Sequence, residues 1–247
     1  MKKAKVVGVI PARFASTRMP GKPLKLVRGK PLIQRVYQQA SKSVLIDKLL
    51  VATDDRRIRD AVLSFGGEVI LTSPEHKSGS DRVAEAVRGF NCGLVLNIQC
   101  EQPFLNPRML DRLISYMLEN RKTHMATLAL RIKQKRDRLD PNVVKVVMDK
   151  DGFALYFSRL PLPYSKTNDR FCYKHIGIYG FSRSFLRRFA RLEQTPLEKA
   201  EKLEQLRVLE NGYKIKVLVL KYDSTSIDSP SQLRKINRDY PIKRSIN

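Results

Sequence analysis

With 247 residues, 42% of them hydrophobic, the chain is long enough to bury one full core, and no apolar run is long enough to span a bilayer. Its 48 Lys and Arg against 24 Asp and Glu leave a formal charge of +24, which attracts polyanions, but the basic residues are spread along the whole chain and no nucleic-acid module accompanies them. Three cysteines, Cys92, Cys100 and Cys172, odd in number and without metal-ligand spacing, suggest neither a disulfide framework nor a zinc site and suit a reduced compartment.

The opening MKKAKVVGVI has the charge pattern of a signal peptide, but its apolar run is short and has no small-residue cleavage site, so a cytoplasmic protein is expected. That run, Val6 to Ile10, reads as a buried strand opening into a loop with Arg13, Ser16, Thr17, Arg18, Gly21 and Lys22. Backbone N–H groups, hydroxyls and three cations are what a triphosphate needs, since each phosphate oxygen takes a donor and the charge takes a fixed counter-charge. The loop matches neither common phosphate fingerprint, because Lys22 follows Gly21 but Pro23 comes next. A surface loop with solvated charges is the other reading, and the position after a first strand favours the cradle.

A helix over Pro31–Ser43 and a strand over Lys48–Ala52 follow, the latter ending at Asp54 and Asp55, which suit a cap for the next helix, Arg56–Phe65, better than a metal site. Gly66 and Gly67 stop that helix, Glu68–Leu71 forms a short strand, and Ser80–Phe90 a helix. Strands alternating with helices in this way predict right-handed crossovers and a largely parallel sheet. Ser78 to Arg82 places small hydroxyls and Gly79 at a helix start, open to a base or phosphate and equally suited to an ordinary cap. The apolar strand Gly93–Ile98 ends in NIQCEQP, where Glu101 is placed to hold Mg2+ against a phosphate chain.

Helix Pro107–Asn120, strand Met125–Arg131 and an exposed connection over Ile132–Leu139 come next. VVKVVMD and FALYFSR then read as a hairpin, Tyr156–Tyr164 presents Arg159, and the strand Tyr173–Phe181 carries His175 and Tyr179. Taken alone, such an arginine is usually solvated and such a histidine usually structural. Thr195 and Glu198 have capping-box spacing, Pro196 sits at the first helical position and Asn211-Gly212 supplies a stop, which predicts one helix over Pro196–Glu210. Leu203, Leu206 and Leu209 then face inward and leave Glu204 and Gln205 to border a pocket. A last strand, Tyr213–Leu220, leads to SIDSP, where Asp228 precedes a helix as a cap or a ligand.

The phrases IPARFASTRMPGKPL, GKPLIQRVYQQA, YFSRLPLPY, KHIGIYGF and LEQLR, in this order between Lys5 and about Ile236, resemble those of the 3-deoxy-manno-octulosonate cytidylyltransferases, which activate the acid sugar Kdo as CMP-Kdo. The resemblance implies an α/β, Rossmann-like nucleotidyltransferase (GT-A-like) fold: a three-layer core with a mostly parallel sheet and a smaller, mixed, strand-rich sugar lobe. Within one domain, residues 1–130 would form mainly the CTP-binding core, 131–195 mainly the sugar and dimer lobe, and 196–247 a return to the core. It implies a homodimer, CTP and Kdo as substrates, Mg2+ as cofactor, and no specific nucleic-acid partner. On this resemblance Pro11, Ala12, Arg13, Ser16, Thr17, Arg18, Lys22, Ser78, Gly79, Ser80 and Arg82 bind the nucleotide. Gln99, Glu101, Arg159, His175, Tyr179, Glu204 and Gln205 hold the sugar, Glu101 and Asp228 ligate the metal, and Arg13 and Lys22 share catalysis with those two carboxylates.

The chain departs from the family phrase N-x-Q-G-D-E-P, with Cys100 for glycine, Glu101 for aspartate and Gln102 for glutamate, and Gln232 replaces a usual acidic residue. Those changes bear on metal affinity, turnover and sugar choice. They keep two other outcomes in view: activation of 8-amino-Kdo or another acidic nonulosonate, and a non-catalytic nucleotide- or polyanion-binding paralogue.

Overall fold

The computed structural model describes residues 6–15, 19–164, 171–221, 227 and 230–239. Strand β1 (Val6–Ala12) leads through a 3-10 turn (Lys22–Leu24) and a small ribbon, β2 (Leu26–Val27) and β3 (Lys30–Pro31), into α1 (Leu32–Ala40). There follow β4 (Lys48–Thr53), α2 (Arg56–Ser64), β5 (Val69–Leu71), α3 (Gly79–Ala86), β6 (Leu94–Ile98), α4 (Pro107–Glu119) and β7 (Met125–Arg131). The second half contributes α5 (Lys135–Leu139), β8 (Lys145–Met148), β9 (Ala154–Ser158), β10 (Tyr173–Ser182), α6 (Arg183–Phe189), α7 (Pro196–Glu201), α8 (Leu206–Glu210), β11 (Ile215–Leu220) and α9 (Pro230–Asp239).

The sheet order is β11-β7-β10-β6-β1-β4-β5, with the β8–β9 hairpin attached to the outer end of β10. β1 pairs in parallel with β4 and β6, β4 with β5, and β7 with β11, while β10 is antiparallel to both its neighbours. Successive residues of β1 serve opposite faces. Val6, Ile10 and Ala12 pack with Leu32, Ile33 and Val36 of α1, Ile58 of α2 and Leu110 of α4. Val7 and Val9 pack with Val83 of α3, Phe185 and Phe189 of α6 and Leu206 of α8. Helices therefore cover both faces of a mostly parallel sheet, giving the three layers expected.

Local chemistry sets the helix ends. Asp55 caps α2 by accepting the Arg57 N–H at 2.9 Å, so the capping reading of that acid holds. Asn106 caps α4, whose first residue is Pro107. Three expectations differ. The strand Tyr173–Phe181, read as part of the outer lobe, has its C-terminal half inside the central sheet between β6 and β7, and only Tyr173 and Lys174 carry the hairpin. The connection Ile132–Leu139 contains α5, and Ile132 is buried. The single helix over Pro196–Glu210 is two helices, broken at Lys202, whose φ of 55° is left-handed.

Candidate active site

The carboxyl ends of β1 and β6 open into a cleft of about 1080 Å3. Because β10 runs against its neighbours, its N-terminal half reaches this same edge and delivers Lys174, His175, Ile176 and Gly177 to the cleft. Parallel sheets bind ligands at this edge because loops and helix N-termini collect there. The α3 N-terminus forms one wall: the Ser78 hydroxyl accepts the Asp81 N–H at 3.2 Å and donates to its carboxylate at 2.8 Å. At Gly79 an added Cβ would lie 3.4 Å from both the Pro11 ring and the Gln99 amide, ordinary contact distance, which places the start of α3 against β1 and the residue after β6.

Behind that wall runs a chain of hydrogen bonds. Gln99 Nε2 donates to Asn97 Oδ1 at 3.4 Å, Asn97 Nδ2 to Ser80 Oγ at 2.9 Å, and the Ser80 hydroxyl to Glu204 Oε1 at 2.9 Å. The Ser80 N–H reaches Glu204 Oε2 at 3.1 Å. Burial pushes the Glu204 carboxyl above the usual range, opposed by the donors from Ser80 and Ser78. The break at Lys202 is what turns Glu204 and Gln205 inward. Gln205 accepts the Tyr179 hydroxyl at 3.0 Å, and its buried Nε2 has no partner among the described residues. Burial, with Glu204 and Glu101 nearby, lifts the Tyr179 hydroxyl well above its ordinary pKa, so it remains a donor.

The opposite rim carries Arg159. Its Nε donates to the Glu201 carbonyl at 2.8 Å and its Nη1 to the Pro141 carbonyl at 3.0 Å, while its own N–H and the Ser158 hydroxyl are taken by the Glu201 carboxylate at 2.9 and 2.5 Å. Lys145, fully buried, donates to the Asp140, Val143 and Arg159 carbonyls at 2.9, 2.6 and 2.5 Å and fixes the hairpin beneath this arginine. Sequence reasoning missed Glu201, which holds the Ser158 hydroxyl and the Arg159 N–H, and Lys145, which donates only to backbone carbonyls; neither belongs to a recognisable motif.

His175 is hydrogen-bonded through Nε2 to Thr127 Oγ1 at 2.9 Å, and burial draws its pKa from 6.5 down to about 3. The folded protein thus binds this proton less readily than the unfolded chain. The stabilising neutral ring is fully present above pH about 6.5 and its contribution is lost as pH falls towards 3. We expect no His175 inflection in kcat/KM between pH 5 and 8, and an NMR titration in which the ring stays neutral to pH 5; a midpoint near 6.5 would contradict the burial.

Glu101 lies at the cleft with its carboxylate 3.7 Å from Lys22 Nζ. The neighbouring Cys100 points into the core, where burial pushes its thiol up to about 12, and its backbone is not left-handed. A side chain at this position therefore costs no backbone strain. Gln102, also buried, lines the cleft. The Ile227 N–H donates to the Glu101 carbonyl at 2.8 Å, which anchors the chain one residue before Asp228.

The comparisons with known proteins agree. A family profile described as "Cytidylyltransferase" matches residues 7–215. The 3-deoxy-manno-octulosonate cytidylyltransferase of Geobacter metallireducens is 47% identical over 244 residues, covering 94% of this chain and 96% of its own, and that of Thermodesulfovibrio yellowstonii is 49% identical, covering 91% and 94%. This chain belongs to that cytidylyltransferase family.

A solved CMP:2-keto-3-deoxy-manno-octonic acid synthetase complexed with CTP superposes on the cytidylyltransferase with a TM-score of 0.88 at 38% identity, covering 95% of this chain and 98% of that one. The 4-diphosphocytidyl-2C-methyl-D-erythritol synthase of Anaerococcus prevotii shares the fold alone, at 15% identity and a TM-score of 0.64. Of the expected site residues, Arg13, Ser78, Gly79, Gln99, Glu101, Arg159, His175, Tyr179, Glu204 and Gln205 line the one cleft. Lys22 reaches it through Glu101, Pro11 underlies Gly79, and Ser80 sits behind Glu204. Ala12, buried, packs in the core beneath the first loop. Arg82 is not among the residues that line the cleft: it is buried, with Nη1 on Thr72 at 2.6 Å and Nη2 on Asp54 at 2.9 Å, and so ties α3 to the β4 loop. Ser16, Thr17, Arg18 and Asp228 lie outside the described residues. The cleft also receives Lys77, Arg136, Lys174, Lys199 and Lys202, cations that no motif had singled out.

Proposed function

We propose that this cytidylyltransferase transfers CMP from CTP to Kdo, giving CMP-Kdo and pyrophosphate for lipopolysaccharide biosynthesis. The observation that carries the reading is one cleft in which the Gly79 helix start and Arg13 face the Arg159, His175, Tyr179, Glu204 and Gln205 wall. Phosphates meet N–H groups and cations on one side, and a polyhydroxy acid meets donors and acceptors on the other.

In this reaction the anomeric hydroxyl of the sugar attacks the α-phosphorus in line, so the protein contributes alignment and charge compensation rather than a nucleophile. Arg13 and Lys22 offset charge on the phosphates and the departing pyrophosphate. The Nη2 edge of Arg159 pairs with the sugar carboxylate, while Tyr179, Glu204 and Gln205 hold sugar hydroxyls. The donor set fits Mg2+: Glu101 is a hard oxygen ligand, partly exposed at the cleft, and Ile227 brings the chain leading to Asp228 to its carbonyl. Mg2+ commonly completes its shell with substrate oxygens, so two carboxylates suffice on the protein side. When bound by Glu101 and Asp228 such an ion supplies charge neutralisation and lowers the pKa of a coordinated hydroxyl.

The test is Mg2+-dependent pyrophosphate release from CTP with and without Kdo, together with a sugar-nucleotide product assay. Release only with Kdo supports the reading. CTP binding without release points to another acidic sugar such as 8-amino-Kdo, or to a binding paralogue. We place the reaction in the cytoplasm, where CTP is made; among the described residues no helix is long and apolar enough to cross a membrane.

A homodimer is part of the same proposal. Leu155, Leu160, Tyr164 and Phe171 are 61–83% exposed and cluster on the chain around the β8–β9 hairpin, within residues 131–195. A second copy would cover this apolar surface. Leu155→Arg with Leu160→Arg should shift the mass in light scattering from two chains to one at micromolar concentration. A wild-type protein that is already monomeric there would remove the dimer from the proposal.

A further inference from the structure

Thr127 belongs to β7, is fully buried and has no place in the site as read from sequence. Its neighbour β10 carries an irregularity: Ile176 is opposite Leu128, but the next partner pair is Tyr179 with Thr127. Two residues, Gly177 and Ile178, are therefore extra on β10. Such a bulge bends the strand and leaves carbonyls outside the regular ladder. Two of them converge on the Thr127 hydroxyl, Ile178 O at 2.8 Å and Ile176 O at 3.3 Å, and the third neighbour is His175 Nε2 at 2.9 Å.

A hydroxyl has one proton and two lone pairs. Carbonyl oxygens only accept, so the Thr127 proton goes to the bulge, in the shorter contact to Ile178. With the proton so placed, the remaining contact runs from His175 Nε2–H to Thr127 Oγ1, one of the two tautomers that the 2.9 Å distance allows. In a neutral ring the other nitrogen is an acceptor. Gly177, which sets the bulge, lies against Gln99, an added Cβ there meeting Gln99 Cγ at 3.2 Å, so the bulge also sits beside the cleft floor.

We propose that Thr127 is a positioning residue that fixes His175 as the Nε2–H tautomer, so that Nδ1 is presented to the substrate as an acceptor and recognises a hydroxyl, or an amine in its place, rather than the sugar carboxylate. The ring is neutral by burial, which removes the cationic alternative. An acceptor opposite a hydroxyl discriminates against analogues that lack the donor, because the buried nitrogen would be left unpaired. The carboxylate is thereby left to Arg159. The tautomer assignment stands on the Thr127 hydrogen-bond geometry with the neutrality of the buried ring, whereas the sugar contact rests on the reading of the cleft given under Proposed function.

Two measurements separate these. Long-range 1H–15N NMR of the full chain without ligand should show the His175 Nε2–H pattern in wild type and in Thr127→Ser, and loss of that single tautomer in Thr127→Val. A wild-type Nδ1–H pattern would overturn the assignment whatever the protein's substrate. In kinetics, Thr127→Val should raise KM for Kdo about five- to tenfold with KM for CTP within about twofold, and Thr127→Ser should restore it. An unchanged KM for Kdo in a folded Thr127→Val enzyme would overturn the recognition role. Should Thr127→Val not fold, the wild-type spectrum and a 4-, 7- or 8-deoxy series of Kdo analogues against Thr127→Ser still decide: no analogue losing affinity relative to Kdo would refute it. A protein that ignores Kdo altogether would fail the proposed function while leaving the NMR result standing.

Discussion

Glu101→Ala is expected to lower kcat/KM for CMP transfer about 10²–10³-fold, the scale of removing one principal charge-stabilising group from a phosphoryl-transfer site. Glu101→Asp should stay within about tenfold of wild type, because the family phrase has aspartate at this point and the change withdraws the carboxylate by one methylene without altering its charge. The carboxylate stands at the cleft, 3.7 Å from Lys22 Nζ, on the loop whose carbonyl receives Ile227. A Mg2+ titration of activity is the check. The apparent Mg2+ requirement should rise steeply in the alanine variant, and if neither variant alters it, Glu101 is not a ligand. Binding of CTP in chelator supplies a control in the opposite direction. Removing a negative charge beside Lys22 should tighten metal-free CTP binding, so a simple collapse of the loop would be recognised by weaker binding in both conditions.

Arg207→Met should destabilise the fold by about 3–5 kcal/mol, the cost of leaving a buried charge without its counter-ion. Arg207 is 2% exposed, holds Glu198 through Nε at 2.8 Å and Nη2 at 2.6 Å, reaches Asp81 at 3.1 Å, and stacks 4.5 Å from the Phe189 ring centre. At about 2–4 °C per kcal/mol for a chain of this size, the midpoint of thermal unfolding should fall by roughly 6–20 °C. The double change Glu198→Leu with Arg207→Met should recover most of the loss, since removing both partners leaves no buried charge from the pair. A loss below about 1 kcal/mol in the single variant would mean that the guanidinium is solvated. Because Asp81 also carries the Ser78 cap, the same variant should weaken CTP binding even where it remains folded.

The three-layer core was legible because its signals are local. Buried runs alternate with amphipathic helices, and Asp55, Asn106 and the glycines after α2 mark ends by their own chemistry. The break in the Pro196–Glu210 segment was not, since Lys202 has ordinary helix propensity and the sequence carries no glycine or proline there. Its left-handed turn is set by distant partners: Glu198 is drawn to Arg207 and Glu204 to Ser80. The position of Arg82 away from the cleft was hidden for a related reason. Its neighbours in sequence, Ser78 and Gly79, line the cleft, but the Arg82 side chain points to Asp54, a contact that sequence adjacency does not reveal. The strand Tyr173–Ser182 reads the same whether it lies in a lobe or in a sheet, because both environments ask for alternating apolar residues. His175, Tyr179, Glu204 and Gln205 were found through the family phrases, and nothing in their own spacing would have assembled them.

The late arrival of β10 has a consequence for how the chain reaches this state. β6 and β7 do not touch along the sheet path; β10 is the strip between them, and it ends 51 residues after β7 does, at Ser182 against Arg131. A ribosome needs roughly 3–10 s to add that length. During that interval a nascent chain carrying β1, β4, β6 and β7 has two apolar strand borders facing an empty slot, the arrangement most prone to recruit a strand from a neighbouring polypeptide. Chain terminations between residues 132 and 172 should accordingly yield insoluble fragments and engage holdase chaperones, whereas release beyond Ser182 lets the slot close from within.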